Sequence, residues 1–268
     1  MGVFTDGTWK QLFPFISFVA MFPLMSYIDH LYMQIGIDSQ KIMRKPLFAL
    51  TPSRPAFSIW GLIFAGLGLF TFLNCFNAYA ETFEPVWTSV TFLLMTSWFA
   101  LFALEIFSLS SVSLLASLLS VYQIILDIPK EHDFMHLGSG YIVGIFWGWL
   151  ISATLLNIFI FIQQRGIENG EERGFLNYSF IALLFLSHIA IMLLLDIETL
   201  TMCWPVSLVL LWSVQWVLWK KEKLYENEEN WTYLTLFSFA CAILFGSIIR
   251  VWLQFDFVEI DVDLDIIV

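Results

Sequence analysis

Charged residues are scarce in this chain, and positive charge is scarcer than negative charge. Only 13% of its 268 residues are Asp, Glu, Lys or Arg, whereas a soluble domain carries roughly 25%. Twelve Lys and Arg against 23 Asp and Glu give a formal net charge of −11, the wrong sign for binding phosphate backbones. The composition therefore excludes a soluble enzyme, a disordered protein and a nucleic-acid binder.

Cysteine is also rare, and the motifs of common enzymes are missing. The three cysteines, Cys75, Cys203 and Cys241, are far apart, so they form neither a disulfide framework nor a CxxC metal site. The sequence shows no Ser-His-Asp arrangement, no phosphate loop and no pair of carboxylates inside an apolar stretch. We therefore predict that the protein is not an enzyme.

Long apolar stretches are what the chain has in abundance, since 59% of its residues are hydrophobic. Eight of them approach or reach the ~20 residues that cross ~30 Å of hydrocarbon. A helix satisfies every backbone N–H and C=O there without water. We predict an all-α integral membrane protein with about eight transmembrane helices, Ser108 and its neighbours separating the third from the fourth. The predicted spans lie near 11–28, 55–73, 86–107, 109–127, 141–163, 175–195, 199–219 and 231–253.

The distribution of basic residues supports this count. Eight spans place the segments 29–54, 164–174 and 220–230 on one side, and these carry nine of the twelve Lys and Arg residues. Basic residues are retained on the cytoplasmic side of a membrane. Both termini are therefore predicted to be non-cytoplasmic, in a membrane that the sequence does not identify.

Three spans carry motifs of one membrane-protein family. The fifth, Trp149-x-x-x-Ala-Thr-x-Leu-Asn157, resembles the W-x-x-x-A-T-x-L-N motif in the last helix of the translocator proteins, also called tryptophan-rich sensory proteins or the TspO/MBR family. In the second, Ala56-Phe-Ser-Ile-Trp-Gly-Leu-Ile-Phe64 looks like the family's F-x-P-V-W-T-x-L-Y element. In the third, Trp98-x-x-x-Phe102 is similar to W-x-x-x-F. With three further spans, the chain resembles the larger members of the family.

The resemblance implies a fold, a domain organisation and a class of ligand. It implies that residues 1–165 form a TspO-like five-helix bundle around an apolar cavity, followed by three additional transmembrane helices in 166–254 and an acidic tail in 255–268. Members of the family bind porphyrins, sterols and other flat apolar molecules, so a bound tetrapyrrole or lipid is the expected cofactor-like ligand. The resemblance carries the ligand-binding residues over to Phe57, Trp60, Trp98, Phe102, Trp149 and Asn157.

The chain also departs from the family pattern. The Pro-Tyr that precedes the tryptophan of the last helix is Ile145-Phe146 here. The sterol-recognition pattern after Asn157 lacks its tyrosine, and Arg165 is displaced from the expected position. Sterol binding and indole-assisted porphyrin chemistry therefore do not transfer directly.

Several polar residues within or beside the spans have two interpretations each. His132 and His136 are four residues apart, as in zinc sites on helices, but a third ligand is not evident, and a polar loop before the fifth span is the simpler interpretation. Asn157 forms either a helix–helix hydrogen bond or a ligand contact. His188 is either a functional intramembrane group or a neutral imidazole with a partner. The small residues Gly144, Gly148 and Ser152 lie on one face of the fifth span and predict close helix packing.

The acidic tail 255–268 leaves the function open. Its alternation of acidic and apolar residues suits a strand that adds to the sheet of another protein, although an acidic, solvated tail is the simpler interpretation. The sequence thus favours a membrane protein that contacts lipid and binds an apolar small molecule, and no nucleic acid. A transporter of such a ligand and a structural subunit docked through the tail are the alternatives.

Overall fold

The computed structural model describes residues 8–37, 54–76, 84–129 and 134–164, together with shorter stretches between 179 and 214. The described residues form helices and turns and no strand. The prediction of an all-α fold is therefore confirmed.

Among the residues that the structure describes, five helices are long and apolar enough to cross a membrane. Their apolar residues lie on all sides rather than on one stripe, and many large ones are exposed, as in helices that face both lipid and protein. The first five predicted spans are thus confirmed, and the chain is a multi-pass membrane protein. The helices are α1 (Thr8–Gln34), α2 (Ile59–Asn74), α3 (Pro85–Ala103), α4 (Phe107–Asp127) and α5 (Phe134–Gln164).

The predicted sixth and seventh spans coincide with two shorter apolar helices, Ala182–Ile191 and Pro205–Val214. The predicted eighth span, 231–253, and the tail 255–268 lie outside the described residues. The count of eight spans therefore stays a prediction.

The first helix is longer than predicted. It continues past Ile28 to Gln34, because Asp29 and His30 are polar without interrupting the backbone hydrogen bonds. It ends where Gly36 adopts a positive φ of 83° and the N–H of Ile37 donates to the carbonyl oxygen of Tyr32 over 2.8 Å. This hydrogen bond is typical of a glycine-terminated helix.

The break between α3 and α4 lies at Glu105, not at Ser108 as predicted. Glu105 has a φ of 57°, and the N–H of Ile106 donates to the carbonyl oxygen of Leu101 over 3.0 Å. Helices most often place glycine in this left-handed position, so a glutamate gave no signal in the sequence. Ser108 instead lies in the first turn of α4.

Two further helix starts differ from the prediction. A 3-10 turn, Arg54–Ser58, leads into α2, where the sequence predicted a single helix from 55. The fifth helix starts at Phe134 rather than near 141. His136 therefore lies in a helix and is buried, which corrects the interpretation of this segment as a polar loop.

The five helices form a closed ring in the order α1, α2, α5, α4, α3, in which each helix packs chiefly on its two neighbours. The contact between α2 and α5 is especially close, because a Cβ added at Gly66 would overlap the Ile142 side chain. The ring order places the second, third and fifth helices around a shared interior. These are the helices that carry the predicted ligand-binding residues.

Hydroxyl groups fasten α4 to its neighbour α3. The hydroxyl of Ser113 donates to the carbonyl oxygen of Leu94 over 2.8 Å, and that of Ser120 donates to the carbonyl oxygen of Trp87 over the same distance. In lipid, such hydrogen bonds and the close approach of small residues replace the hydrophobic effect as the force between helices.

The C-terminal part of the chain packs directly on α5. A Cβ added at Gly148 would lie 2.8 Å from the backbone oxygen of Val206, so only glycine allows the two backbones to come this close. Phe180 contacts Phe159 edge to face, with ring centroids 5.5 Å apart. The predicted close packing at Gly148 is therefore observed, and its partner is the helix that starts at Pro205.

Candidate functional site

Trp60 is the centre of an aromatic cluster inside the ring. Its indole stacks on Phe64 of the same helix at 5.1 Å and on Trp98 of α3 at 6.1 Å. It meets Trp149 of α5 edge to face at 5.9 Å and Phe146 at 6.3 Å. We call these five residues, together with Phe57 and Phe102, the aromatic cluster.

Helical spacing explains how the cluster assembles. Trp60 and Phe64 are four residues apart on α2, and Trp98 and Phe102 are four apart on α3, so each pair lies on one face of its helix. Phe146 and Trp149 are three apart on α5 and share a face in the same way. The faces of α2 and α5 meet because the two helices are neighbours in the ring. The face of α3 reaches them from across the ring through the contact of Trp98 with Trp60.

Five of the six predicted ligand-binding residues lie in this cluster. Ring contacts connect Phe57 to Trp149 at 5.8 Å, Trp149 to Trp60, Trp60 to Trp98, and Trp98 to Phe102 at 5.8 Å. Phe57 precedes α2 in the 3-10 turn and is 39% exposed, so it forms the rim of the cluster. Trp60 and Trp98 are only half-buried, although they stack on each other.

The sixth predicted residue, Asn157, binds a neighbouring helix. Its side-chain oxygen accepts a hydrogen bond of 2.7 Å from the hydroxyl of Ser110 on α4. Its side-chain nitrogen donates over 3.0 Å to the carbonyl oxygen of Ala153. Of the two interpretations of Asn157, the structure therefore favours the helix–helix hydrogen bond.

Two indole N–H groups of the cluster are buried without an acceptor. The Nε1 atoms of Trp98 and Trp149 find no hydrogen-bond partner within the part of the chain that the structure describes. Trp147, next to Trp149, shows the usual arrangement, because its Nε1 donates over 3.2 Å to the carbonyl oxygen of Leu118. A buried indole N–H normally finds such a partner, so these two donors can still bind a hydrogen-bond acceptor from another molecule.

Three further residues belong to the site that the sequence did not assign to it. Phe64 and Phe146 were evident only as departures from the family's tyrosines, yet both contact Trp60. Trp212 lies in none of the three family motifs, and its Nε1 donates over 3.3 Å to the carbonyl oxygen of Ala56 beside Phe57. Phe64 is four residues from Trp60, and this helical spacing could have placed it in the site. No sequence pattern links Trp212 to Ala56, which are 156 positions apart.

A metal site within the described residues would need several His, Cys, Asp or Glu side chains close together. No group of three or more His, Cys, Asp or Glu side chains occurs there. His132 and His188 lie outside the described residues. The pairing of His132 with His136 therefore stays untested.

Comparison with known protein families gives a match over most of the chain. The model of one family, described as TSPO-like protein, matches residues 11–251, which include the five-helix ring, the aromatic cluster and most of the chain beyond them. No curated protein and no solved structure matches the chain. Because the match covers well over half of the residues, the resemblance first carried by three short motifs is confirmed, and the chain belongs to the TSPO-like family of membrane proteins.

Proposed function

We propose that the protein binds a planar, largely apolar ligand with hydrogen-bond acceptors, such as a tetrapyrrole, against the aromatic cluster inside its ring of helices. The observation that carries this proposal is the pair of buried indole N–H groups on Trp98 and Trp149. In this proposal the protein binds its ligand and catalyses no reaction.

The geometry of the rings favours a flat ligand. The ring plane of Trp60 lies 18° from that of Phe64 and 27° from that of Trp98, whereas Trp149 meets Trp60 at 83°. A planar molecule therefore finds faces to stack on and an edge to contact. Each aromatic contact adds about 0.5–1.5 kcal/mol beyond the burial of its area.

The indole N–H groups favour acceptors on that ligand. An indole N–H is a donor only, and leaving it without an acceptor in an apolar interior costs free energy. A ligand with carbonyl, carboxylate or ring-nitrogen acceptors satisfies the N–H groups, which a bare hydrocarbon does not. Transport of such a ligand and docking through 255–268 stay predictions.

The first test measures the quenching of tryptophan fluorescence by protoporphyrin IX in the full chain, reconstituted in detergent micelles. We expect saturable quenching, and we expect Trp60→Ala combined with Trp149→Ala to weaken binding roughly 5- to 150-fold, because two aromatic contacts are lost and 1.4 kcal/mol is one decade in affinity. The matched control is Trp87→Ala, which removes a tryptophan that is 39% exposed near the start of α3. Equal titration curves for the three proteins, each eluting as a folded species, would show that the aromatic cluster is helix packing only.

The second test separates the donors from the rings. Trp98→Phe and Trp149→Phe keep an aromatic face and remove the N–H. We expect them to weaken the binding of protoporphyrin IX but to leave the binding of pyrene, which has no acceptor, within about twofold. If both ligands respond alike, the indole N–H groups play no part in recognition.

A further inference from the structure

Two buried polar side chains at the opposite end of the ring make no hydrogen bond within the described residues. Asn74, the last residue of α2, is 1% exposed, and both its amide nitrogen and its amide oxygen lack a partner. Ser139, near the start of α5, is also 1% exposed, and its hydroxyl lacks a partner. Buried polar groups are nearly always hydrogen-bonded, so two such residues on neighbouring helices indicate that something else satisfies them.

The register of α2 against α5 places both residues at the same end of the ring. The two helices run antiparallel, and Asn74 lies one turn beyond the last contact of α2, while Ser139 is adjacent to the last contact of α5. The contacts that define this register are, in order, Trp60 with Trp149, Gly66 with Ile142, and Phe70 with Gly138.

This end of the ring is separate from the aromatic cluster. Asn74 is fourteen residues from Trp60 along α2, which corresponds to roughly 21 Å at a rise of 1.5 Å per residue. The interior between them is filled by aliphatic side chains that are at most 3% exposed, including Ile63, Leu67 and Val143. A ligand on the aromatic cluster is therefore too far away to form hydrogen bonds with the polar groups of Asn74 and Ser139.

The chemistry of this end favours an uncharged ligand. The carboxamide of Asn74 offers two donors and an acceptor oxygen, and the hydroxyl of Ser139 offers one donor and an acceptor. Thr71, which is fully buried one helical turn before Cys75, already donates to the carbonyl oxygen of Leu67 over 2.6 Å. A charged group at this depth needs a counter-charge, whereas a neutral group that both donates and accepts matches the amide and the hydroxyl together.

We propose that Asn74 and Ser139 bind an uncharged hydroxyl group at the end of the ring remote from the aromatic cluster. Two sources supply this chemistry. One is a water molecule, which commonly satisfies buried polar groups inside proteins. The other is the hydroxyl head of a neutral single-chain amphiphile, because the apolar stretch 56–74 ends at Asn74 and headgroups begin where the hydrocarbon ends.

The test measures the melting temperature of the full chain in lipid nanodiscs. Ser139→Ala removes a single oxygen atom, and Asn74→Leu replaces the amide by an apolar side chain of similar size. If a hydroxyl group is bound, both variants lose its hydrogen bonds and melt about 2–4 °C lower. Asn157→Leu is the matched control. It shows how far the melting temperature falls when a buried asparagine loses two hydrogen bonds within the protein.

Without a bound hydroxyl group, the melting temperatures of the two variants should not fall. If Asn74 and Ser139 have no ligand, removing their bare polar groups leaves the melting temperature unchanged or raises it, and this result in Ser139→Ala or in a folded Asn74→Leu overturns the proposal. Should Asn74→Leu fail to insert, Ser139→Ala decides alone, because alanine fits where serine does and favours the helix.

A second arm identifies the source of the hydroxyl. The wild-type chain and Asn74→Leu are melted with 1-dodecanol and, for comparison, with dodecane. A rise that occurs only with the alcohol and only in the wild type supports the proposal and assigns the hydroxyl to an amphiphile. Lower melting of the variants without any rise specific to the alcohol supports the proposal and assigns the hydroxyl to water.

Discussion

At the scale of single residues, the membrane interior makes each polar side chain consequential. The sequence already predicted that Asn157 needs a hydrogen-bond partner, because an amide has no water to bind in hydrocarbon. It did not predict that Ser110 provides the partner, since the register of α4 against α5 depends on packing along both helices. The sequence therefore left two interpretations open, and the 2.7 Å contact favours one of them.

We predict that Ser110 and Asn157 are energetically coupled. In a double-mutant cycle with Ser110→Ala and Asn157→Leu, the coupling free energy should be about 0.6–1.7 kcal/mol, the range of interhelical hydrogen bonds in bilayers. The measurement is the unfolding free energy of the four proteins in mixed micelles. As a control, Ser97→Ala should show no coupling to Asn157→Leu, because Ser97 is exposed and donates only within its own helix to Leu93. Additive effects of the first pair would contradict the assignment of Asn157 to helix packing.

At the scale of helices, the sequence predicted which helices exist better than it predicted where they begin and end. All five long helices were evident from their apolar length, which is set by the thickness of the bilayer. The ends of the helices depend on local backbone hydrogen bonds. The sequence did not indicate that Glu105 takes a left-handed conformation or that α1 continues through Asp29 and His30. The aromatic cluster was predictable to the extent that its residues repeat at helical spacing, whereas the approach of Trp212 to Ala56 required the fold.

We predict opposite effects of alanine at two glycines. Gly148→Ala should destabilise the protein by about 1–3 kcal/mol, the usual cost of overpacking a tight contact, because its new Cβ would meet the backbone oxygen of Val206 at 2.8 Å. Gly61→Ala should stabilise it by about 0.5–1 kcal/mol through the lower flexibility of the unfolded chain, since a Cβ there meets nothing within 4 Å. Unfolding free energies of the two variants provide the comparison. A Gly148→Ala variant as stable as the wild type would mean that the helix beginning at Pro205 does not press on α5.

At the scale of the whole molecule, three of the five helix contacts in the ring follow the order of the chain and two do not. Successive helices α1 and α2 pack together, as do α3 and α4 and then α4 and α5, while the contacts of α1 with α3 and of α2 with α5 close the ring. Both closing contacts join helices that are not successive in sequence, so hydropathy alone did not reveal them. The C-terminal part of the chain adds a layer on α5 through Val206 and Phe180, and its number of spans decides the side on which the chain ends.

The count of eight spans predicts on which side of the membrane each terminus lies, and glycosylation reports that side. Extensions with an Asn-x-Thr acceptor on a flexible Gly/Ser linker are fused to either terminus, and each fusion is inserted into microsomes. Because eight is even and nine of twelve basic residues lie in alternate loops that remain cytoplasmic, we expect a glycan on both extensions. The natural acceptor sequences Asn177-Tyr-Ser and Asn230-Trp-Thr lie at or just past the ends of the basic segments 164–174 and 220–230, close to a span. They should stay unmodified, which serves as the internal control. A glycan on only one extension would require an odd number of spans, and a glycan on Asn177 or Asn230 would contradict the predicted orientation of the chain.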